Sequence, residues 1–306
     1  MRARPLMVLI ANAAVLTASV AGFEAKVYGS PGAASHAPNV AAPPHAIRPP
    51  ESPQGVPDAG FSGLPARIEQ ATQDAAADGA TLAVAILDRA SHQMLSNGND
   101  QLVAIASVAK LFIADDLLSQ KSDGSADDRL PSTADRQALD GMLRSSDDDA
   151  AETFWAQRGG EPIITDVASR YGLTSTAPPS DGRWWNTMSS ASDVVHYYDM
   201  LLNGSGGLSA ERAEIIVDDL AGSTATGADG YPQRFGIPDG LYAEPVAVKQ
   251  GWMCCVGDSW MHLSTGIIGS DRRYVMVIES LQPSDDATAR ATITQAVKTM
   301  FPSGRI

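Results

Sequence analysis

Three short motifs hold residue types suited to nucleophilic chemistry. The first, Ser107-Val108-Ala109-Lys110, follows the apolar segment 102–106 and begins a predicted helix, so its hydroxyl and amine share one helix face. A desolvated lysine can take the proton of a serine hydroxyl and activate it as a nucleophile. A serine in a first helical turn also places its backbone N–H where an oxyanion would form. By itself this spacing carries little weight, because any capped helix with a lysine shows it.

The other two motifs are Ser146-Asp147-Asp148, about forty residues later, and Lys249-Gln250-Gly251 at the end of an apolar strand pattern. Their side chains add a second hydroxyl, a second amine and two carboxylates. For these groups to act together, the fold must bring three distant segments to one place.

The composition excludes several classes of protein. The 306 residues carry 22 Lys+Arg against 36 Asp+Glu, a formal net charge of −14, so bulk charge does not favour binding to nucleic acid or to anionic lipid. Two cysteines exclude a disulfide-rich scaffold and a four-cysteine zinc site. The absence of an HExxH motif excludes a zincin.

Residues 1–29 are predicted to be a signal peptide or an N-terminal membrane anchor. Arg2 and Arg4 precede the uncharged segment 5–23, which contains an A-x-A-like site at Ser19-Val20-Ala21 and is just long enough to span a bilayer. No cysteine lies near it, so we do not expect a lipid-modified N-terminal cysteine. We expect an exported protein, secreted or membrane-anchored at the cell envelope. Residues 30–60, rich in proline, alanine and glycine, predict an extended linker before a folded domain at 61–306.

Hydrophobic periodicity in the domain predicts strands, then helices, then strands, then a helix. Strands are expected at 81–88, 93–97, 246–249, 260–269 and 274–280. Helices are expected at 62–78, 108–118, 136–143, 150–157, 162–171, 190–202, 210–220 and 285–300, the last with Ser284 as N-cap. The pattern indicates an α+β fold with one five-stranded antiparallel sheet flanked by the terminal helices. The all-helical insert would form a second lobe, with a cleft between.

The order and spacing of the three motifs resemble those of the penicillin-recognising serine enzymes, specifically class A β-lactamases, over most of residues 62–306. The hairpin sequence TLAVAILDRASHQML and the run MLRSSDDDAA, compared with a family run ending S-D-N-T-A-A, add to the resemblance. So does Arg234-Phe235-Gly236-Ile237-Pro238 before the third motif. The resemblance implies a β-lactamase/transpeptidase-like fold, a small-molecule or peptidoglycan-peptide substrate, no cofactor, no metal, no nucleic-acid partner and a monomer.

The resemblance also implies catalytic roles. Ser107 would be the acylated nucleophile, Lys110 its general base, and Ser146 the proton shuttle to the leaving nitrogen. Lys249 would supply positive charge to a substrate carboxylate and to Ser146, and Arg234 would add a second positive charge. The backbone N–H groups of Ser107 and Trp252 would form the oxyanion hole, next to Gly251.

Two motif positions depart from the family pattern. Asp148 stands where the family usually has asparagine, and an ionised carboxylate accepts hydrogen bonds but does not donate them. A carboxylate near Lys110 would also favour the charged ammonium, a worse base; alternatively, Asp148 is only an acid at a helix N-terminus. Gln250 replaces a threonine or serine hydroxyl with a longer amide that would fill the groove.

A third departure concerns deacylation. Class A β-lactamases carry a glutamate in an E-x-x-L-N run that activates water, but residues 177–190 contain no glutamate, and Asp181 is their only acid. Without a positioned base, hydrolysis of an acyl-enzyme should be slow. Trp184 and Trp185 in this segment would either line a cleft or pack a shortened loop, the second being favoured.

Three functions follow as alternatives. The first is an envelope serine hydrolase acting on a D-Ala-type peptide, an ester, or a slowly bound β-lactam. The second is a non-catalytic binder of cell-wall material or of a protein, and the third is an unusual β-lactamase. Retention of the four reactive side chains Ser107, Lys110, Ser146 and Lys249, alongside altered recognition positions, favours the first.

The chain's only cysteines, Cys254 and Cys255, follow the third motif directly. Oxidation in an exported protein would join neighbouring residues whose Cα atoms are only about 3.8 Å apart across a trans peptide. Such a bond would force a tight turn at the cleft rim and make activity redox-sensitive. The alternative is two free, partly buried thiols.

Overall fold

The computed structural model describes residues 59–119 and 131–306. The predicted signal segment and residues 30–58 of the predicted linker lie outside them. The helices are α1 Ala59–Ser62, α2 Leu64–Ala77, α3 Lys110–Ser119, α4 Thr133–Arg144, α5 Asp148–Gln157, α6 Pro162–Tyr171, α7 Ala191–Asn203, α8 Ala210–Ala221, α9 Ile237–Gly240 and α10 Asp286–Met300. The strands are β1 Thr81–Asp88, β2 Gln93–Ser96, β3 Val103–Ala104, β4 Met188–Ser189, β5 Val246–Val256, β6 Ser259–Ile268 and β7 Tyr274–Gln282. Two short 3-10 turns cover Ala106–Ala109 and Trp184–Asn186.

Five strands form one antiparallel sheet in the order β2-β1-β7-β6-β5, which confirms the predicted α+β fold. β1 is buried along nearly its whole length, because both of its faces are covered. Leu82, Val84 and Ile86 contribute to the apolar layer that contains α2 and α10, whereas Ala83 and Ala85 contribute to the layer that contains the helical lobe. Burial on two faces explains a continuous apolar run rather than an alternating one.

Helix α3 lies at the centre of the helical lobe, with most of its residues buried. Its Asp115 is fully buried and accepts hydrogen bonds from Arg170 and from the hydroxyls of Tyr171 and Tyr197. A buried carboxylate requires such partners, because an unpaired charge in the interior is costly. This network fixes α3, and therefore Lys110 at its start, relative to α6 and α7.

The structure corrects several predicted boundaries. Asp285, not Ser284, is the N-cap of α10, and its carboxylate accepts from the backbone N–H of Thr288. β5 does not end at Lys249 but continues through the third motif to Val256, because its pairing with β6 continues. The pairing of β3 with β4 was not predicted, since two-residue strands leave no periodic signal.

Candidate active site

Ser107 and Lys110 meet at the junction of a 3-10 turn and α3. Side chains three residues apart eclipse each other in a 3-10 turn, which brings Lys110 Nζ to 3.1 Å from Ser107 Oγ. Lys110 is fully buried and Ser107 is 7% exposed. The pair therefore has the separation and the dry surroundings that transfer of the serine proton requires.

Burial lowers the pKa of the Lys110 amine below its ordinary value, and this effect outweighs the opposing charge of Asp148. Asp148 Oδ1 lies 2.5 Å from Lys110 Nζ, although the Asp148 side chain is two-thirds exposed. As expected, the carboxylate favours the ammonium form, but desolvation is the larger effect. Asp148 is also the first residue of α5, but its contact with Lys110 means that it is not only an acid at a helix N-terminus.

Ser146 connects the two lysines. Its Oγ lies 3.1 Å from Lys110 Nζ and 3.0 Å from Lys249 Nζ, and its carbonyl accepts from Lys110 at 2.7 Å. Burial, together with the charge of Lys110, lowers the pKa of Lys249 well below its ordinary value. The three motifs thus meet in one buried chain of hydroxyl and amine groups.

Two residues beside these hydroxyl and amine groups have a left-handed backbone conformation. Ala106 has φ 45° and Ser146 has φ 56°, a region that costs a residue with a Cβ about 1–2 kcal/mol. Ala106 directly precedes the candidate nucleophile. Strain of this kind is retained where the surrounding structure demands a particular geometry.

Gly251 allows β5 to lie against the turn that carries Ser107. A Cβ at this position would stand 2.8 Å from the carbonyl oxygen of Ile105 and 3.3 Å from Val108 Cγ2. The close approach brings the backbone of residue 252 beside the turn. Glycine at 251 is therefore required by packing, because the neighbour is backbone and cannot turn aside.

A cavity of about 240 Å³ opens in front of Ser107. We call it the Ser107 cavity; its lining residues are Ala106, Ser107, Asp148, Trp184, Trp185, Asp229, Trp252 and Met253. The Trp184 and Trp185 rings are perpendicular, with centroids 5.2 Å apart. Trp184 also belongs to the apolar core, so this pair both lines the cleft and packs the loop.

A stacked pair of rings supports one wall. Trp252 lies on Tyr231 with centroids 4.5 Å apart and planes within 8°. The Tyr231 hydroxyl contacts the buried His262 and donates to Asp286. Burial lowers the pKa of His262 to about 4, so this imidazole is neutral at physiological pH. His262 supports the wall through Tyr231; no contact joins it to Ser107.

Two predicted substrate-binding residues lie away from the cavity. Arg234 is half exposed, with Nε 3.5 Å from Asp239 Oδ1 and Nη2 donating to the carbonyl of Pro238. Gln250 is buried, and its Nε2 donates to the carbonyls of Gln233 and Phe235. Gln250 therefore does not fill the groove but ties β5 to the segment before α9.

The segment 177–190 brings indoles, not an acid, to the cavity. Asp181 is exposed, accepting from the backbone N–H of Arg183 and from Asn186 Nδ2. It is not among the lining residues, in contrast to Asp229, which sequence reasoning missed. Asp229 lies in an exposed loop without periodic pattern, so no spacing signal pointed to it.

Cys254 and Cys255 are joined by a disulfide, and the peptide bond between them is cis. Both residues are exposed and follow Met253, which lines the cavity. They lie within β5, whose pairing with β6 shifts register between Cys254 and Val256. Redox sensitivity of activity stays a prediction.

Within the described ranges, no cluster of three or more His, Cys, Asp or Glu side chains has the arrangement of a metal site. No helix in the same ranges is long and apolar enough to cross a membrane.

No known protein-family model matches the sequence. Curated relatives named "Putative lipoprotein LppW" from Mycobacterium bovis and Mycobacterium tuberculosis are 64% identical over 319 aligned positions, with all of this chain and all of each relative covered.

Solved structures share the fold at low identity. A β-lactamase from Chitinophaga pinensis has a TM-score of 0.62 and 14% identity, covering 78% of this chain and all of its own. PBP-A has a TM-score of 0.61 and 17% identity, covering 79% of this chain and 96% of its own. A mutant of PBP-A, solved as an acyl-enzyme complex with penicillin G, has a TM-score of 0.62. These likenesses establish the β-lactamase-like fold.

Proposed function

The chain belongs to the LppW family, and we propose that it is an exported serine hydrolase of the bacterial cell envelope that works through an acyl-serine intermediate. The observation that carries this proposal is the 3.1 Å separation of Ser107 Oγ from the buried Lys110 Nζ. An amine with a lowered pKa is neutral for a larger fraction of the time, and only the neutral amine can accept the serine proton.

In the proposed reaction, Ser107 Oγ attacks the carbonyl carbon of an ester or amide while its proton passes to Lys110 Nζ. The backbone N–H groups of Ser107 and Trp252 would stabilise the resulting oxyanion. Collapse of the tetrahedral intermediate breaks the bond to the leaving group, which takes its proton from Ser146 Oγ. Lys110, which holds the proton taken from Ser107, returns it to the Ser146 hydroxyl 3.1 Å away, and Lys249 Nζ, 3.0 Å from the same oxygen, orients that hydroxyl.

In this proposal, hydrolysis of the acyl-enzyme by water is the slow step. The segment 177–190 places Trp184 and Trp185 at the cavity and leaves Asp181 outside it. We therefore propose a long-lived acyl-enzyme and weak or absent β-lactamase turnover. The acyl-enzyme that the PBP-A mutant forms with penicillin G is a property of that protein, and it supports the proposal only through the shared fold.

The name of the relatives supports a place at the envelope. The two cysteines of this chain, residues 254 and 255, lie far from its N-terminal segment. We propose that the apolar segment 5–23 serves for export and, where it is retained, as the anchor.

One observation favours a second function, that of a non-catalytic binder of wall material or of a protein. The ion pair of Asp148 with Lys110 holds part of the lysine population as ammonium, which cannot act as a base.

The test incubates the mature domain with a fluorophosphonate, a nitrophenyl ester and labelled penicillin, and follows intact mass. A mass increment on Ser107 that persists for hours and is absent in Ser107→Ala supports the hydrolase. Release of penicillin product at hundreds per second identifies a β-lactamase instead. No adduct with any probe, together with binding to wall fragments, supports the binder.

A further inference from the structure

The Ser107 cavity carries the opposite charge to that expected for recognition of a carboxylate. Its charged lining residues are Asp148 and Asp229, and its large apolar ones are Trp184, Trp185, Trp252 and Met253. Neither lysine of the motifs lines it. Lys110 is fully buried and Lys249 is 1% exposed, and both amines are engaged with Ser146.

We propose that the substrate is a cation: an ester or amide with an alkylammonium group, bound with its positive charge beside Asp229 and against the indole walls. This inference rests on the proposed function, because it names the substrate class of that site. It also follows that penicillins and peptides ending in a free carboxylate are poor ligands.

Asp229 supplies a carboxylate that forms no direct ion pair with another described residue. One of its oxygens accepts the backbone N–H of Tyr231, which orients the side chain, and its charge acts on the buried Lys110 and Lys249 only through space. The loop packs closely on the Trp252 wall, because a Cβ at Gly227 would stand 2.6 Å from Asp229 Oδ1 and 3.5 Å from Trp252 Cη2. Asp148 differs, since Lys110 neutralises much of its charge.

No arginine is among the described residues that line the cavity, so none neutralises its carboxylates from within. Arg234 is paired with Asp239, outside the cavity. The Arg183 guanidinium lies 5.8 Å from the centre of the Trp185 ring, but its side chain is 63% exposed and close to Asp181. The formal net charge of −14 adds a field that attracts cations and repels anions.

The tryptophan rings of the cavity provide the second means of binding a cation. A cation over the face of tryptophan is held by the ring quadrupole, and aromatic walls with carboxylates are the usual means of binding alkylammonium groups. Trp184 and Trp185 form perpendicular walls, and Trp252 forms a third. Lys110 Nζ already lies over the Trp184 ring, 4.8 Å from its centre, so the ligand cation would be held chiefly by Trp185 and Trp252. The Trp184 Nε1–H is buried without a hydrogen-bond partner among the described residues.

The test uses three ligands of one shape: choline, its neutral isostere 3,3-dimethylbutan-1-ol, and the anion 3,3-dimethylbutanoate. Binding is followed by tryptophan fluorescence and calorimetry in the wild type, Ser107→Ala, Asp229→Asn and the control Asp239→Asn, each checked by its melting temperature. We expect choline to bind roughly tenfold more tightly than the alcohol and the carboxylate to bind worst. Asp229→Asn should remove most of the preference, and Asp239→Asn should keep it.

Equal binding of choline and the alcohol, tighter binding of the carboxylate, or an equal effect of the two asparagine variants would overturn the proposal. If Asp229→Asn fails to fold, the salt dependence of binding to the wild type is the alternative test. The affinity for choline must then fall with ionic strength while the affinity for the alcohol does not. Binding in Ser107→Ala does not depend on acylation. A charge preference without any adduct on Ser107 therefore refutes the hydrolase and keeps the cation site, whereas adducts without a charge preference do the reverse.

Discussion

Asp148 Oδ1 lies 2.5 Å from Lys110 Nζ, so the amine that would remove the serine proton is also half of an ion pair. The pair sets burial, which favours the neutral amine, against a carboxylate that favours the ammonium. The reactivity of Ser107 depends on the balance of these two effects.

Replacing Asp148 with asparagine should therefore increase reactivity at low pH. Without the carboxylate the pKa of Lys110 falls further, and the acid limb of the acylation profile should move to lower pH by about one unit or more. The measurement is the rate of Ser107 acylation by a neutral nitrophenyl ester between pH 5 and 9. Asp149→Asn, an exposed neighbour in the same helical turn, is the matched control and should leave the profile in place. A profile of Asp148→Asn displaced to higher pH would contradict the argument.

The features that sequence analysis predicted correctly are those that leave a periodic or spaced signal. The limits of β1 and α6 agree with the prediction because continuous burial and a full helical period define them. The meeting of the three motifs followed from a resemblance in their order. The residues around the three motifs were harder to predict from the sequence. Asp229 and Tyr231 lie in a loop whose position depends on packing against Trp252 and not on local pattern.

Gln250 illustrates the same limit from within a motif. Its position suggested a contact with substrate, but the side chain donates to two backbone carbonyls of the segment 233–235. A sequence names the residue at a motif position, whereas the direction of a long side chain is set by which unpaired carbonyls lie near it.

Deacylation of Ser107 should be slow and independent of Asp181. The Asp181 carboxylate is held by Asn186 and the backbone of residue 183, outside the cavity. We expect the acyl-enzyme to persist for hours in the wild type and for the same time in Asp181→Asn, measured by intact mass after removal of excess probe. A large change on this substitution would identify Asp181 as the base that activates water.

Gly251→Ala should uncouple β5 from the turn that carries Ser107. The added Cβ would meet the carbonyl of Ile105 at 2.8 Å, so the strand must move away. We expect a loss of about 1–3 kcal/mol in the free energy of unfolding, and acylation slower by about tenfold or more.

Gly141→Ala is the matched control for that substitution. It lies within α4, and its Cβ would make an ordinary contact, 3.7 Å from Asp147 Oδ2. Alanine there should raise stability by about 0.4–1 kcal/mol and leave acylation unchanged. Denaturant unfolding and acylation kinetics on both variants give the comparison, and equal acylation rates would show that β5 does not position the nucleophile.

Glu279 should make the protein less stable as pH rises from the ordinary glutamate pKa towards 8. It lies on β7 between Ala83 and Leu263, 3% exposed, and burial raises its pKa to about 8. The folded protein keeps this proton at pH values where the unfolded chain has lost it, so unfolding releases a proton. The contribution is complete below the ordinary glutamate pKa and is lost as pH approaches 8, at up to about 1.4 kcal/mol per pH unit.

The clearest window for this effect is pH 6.5 to 8. The buried neutral His262, with its pKa near 4, has the opposite dependence at lower pH, where the unfolded imidazole binds a proton that the folded one does not. The buried Lys110 and Lys249, whose pKa values are lowered, contribute a rise in stability with pH to every variant, so the slopes must be compared between variants. Denaturant unfolding across the window should give the same slope in the wild type and in Glu152→Gln, an exposed control on α5. Glu279→Gln has no proton to release, so its slope should be more positive than that of the wild type, and an equal slope would show that Glu279 is ionised in the folded protein.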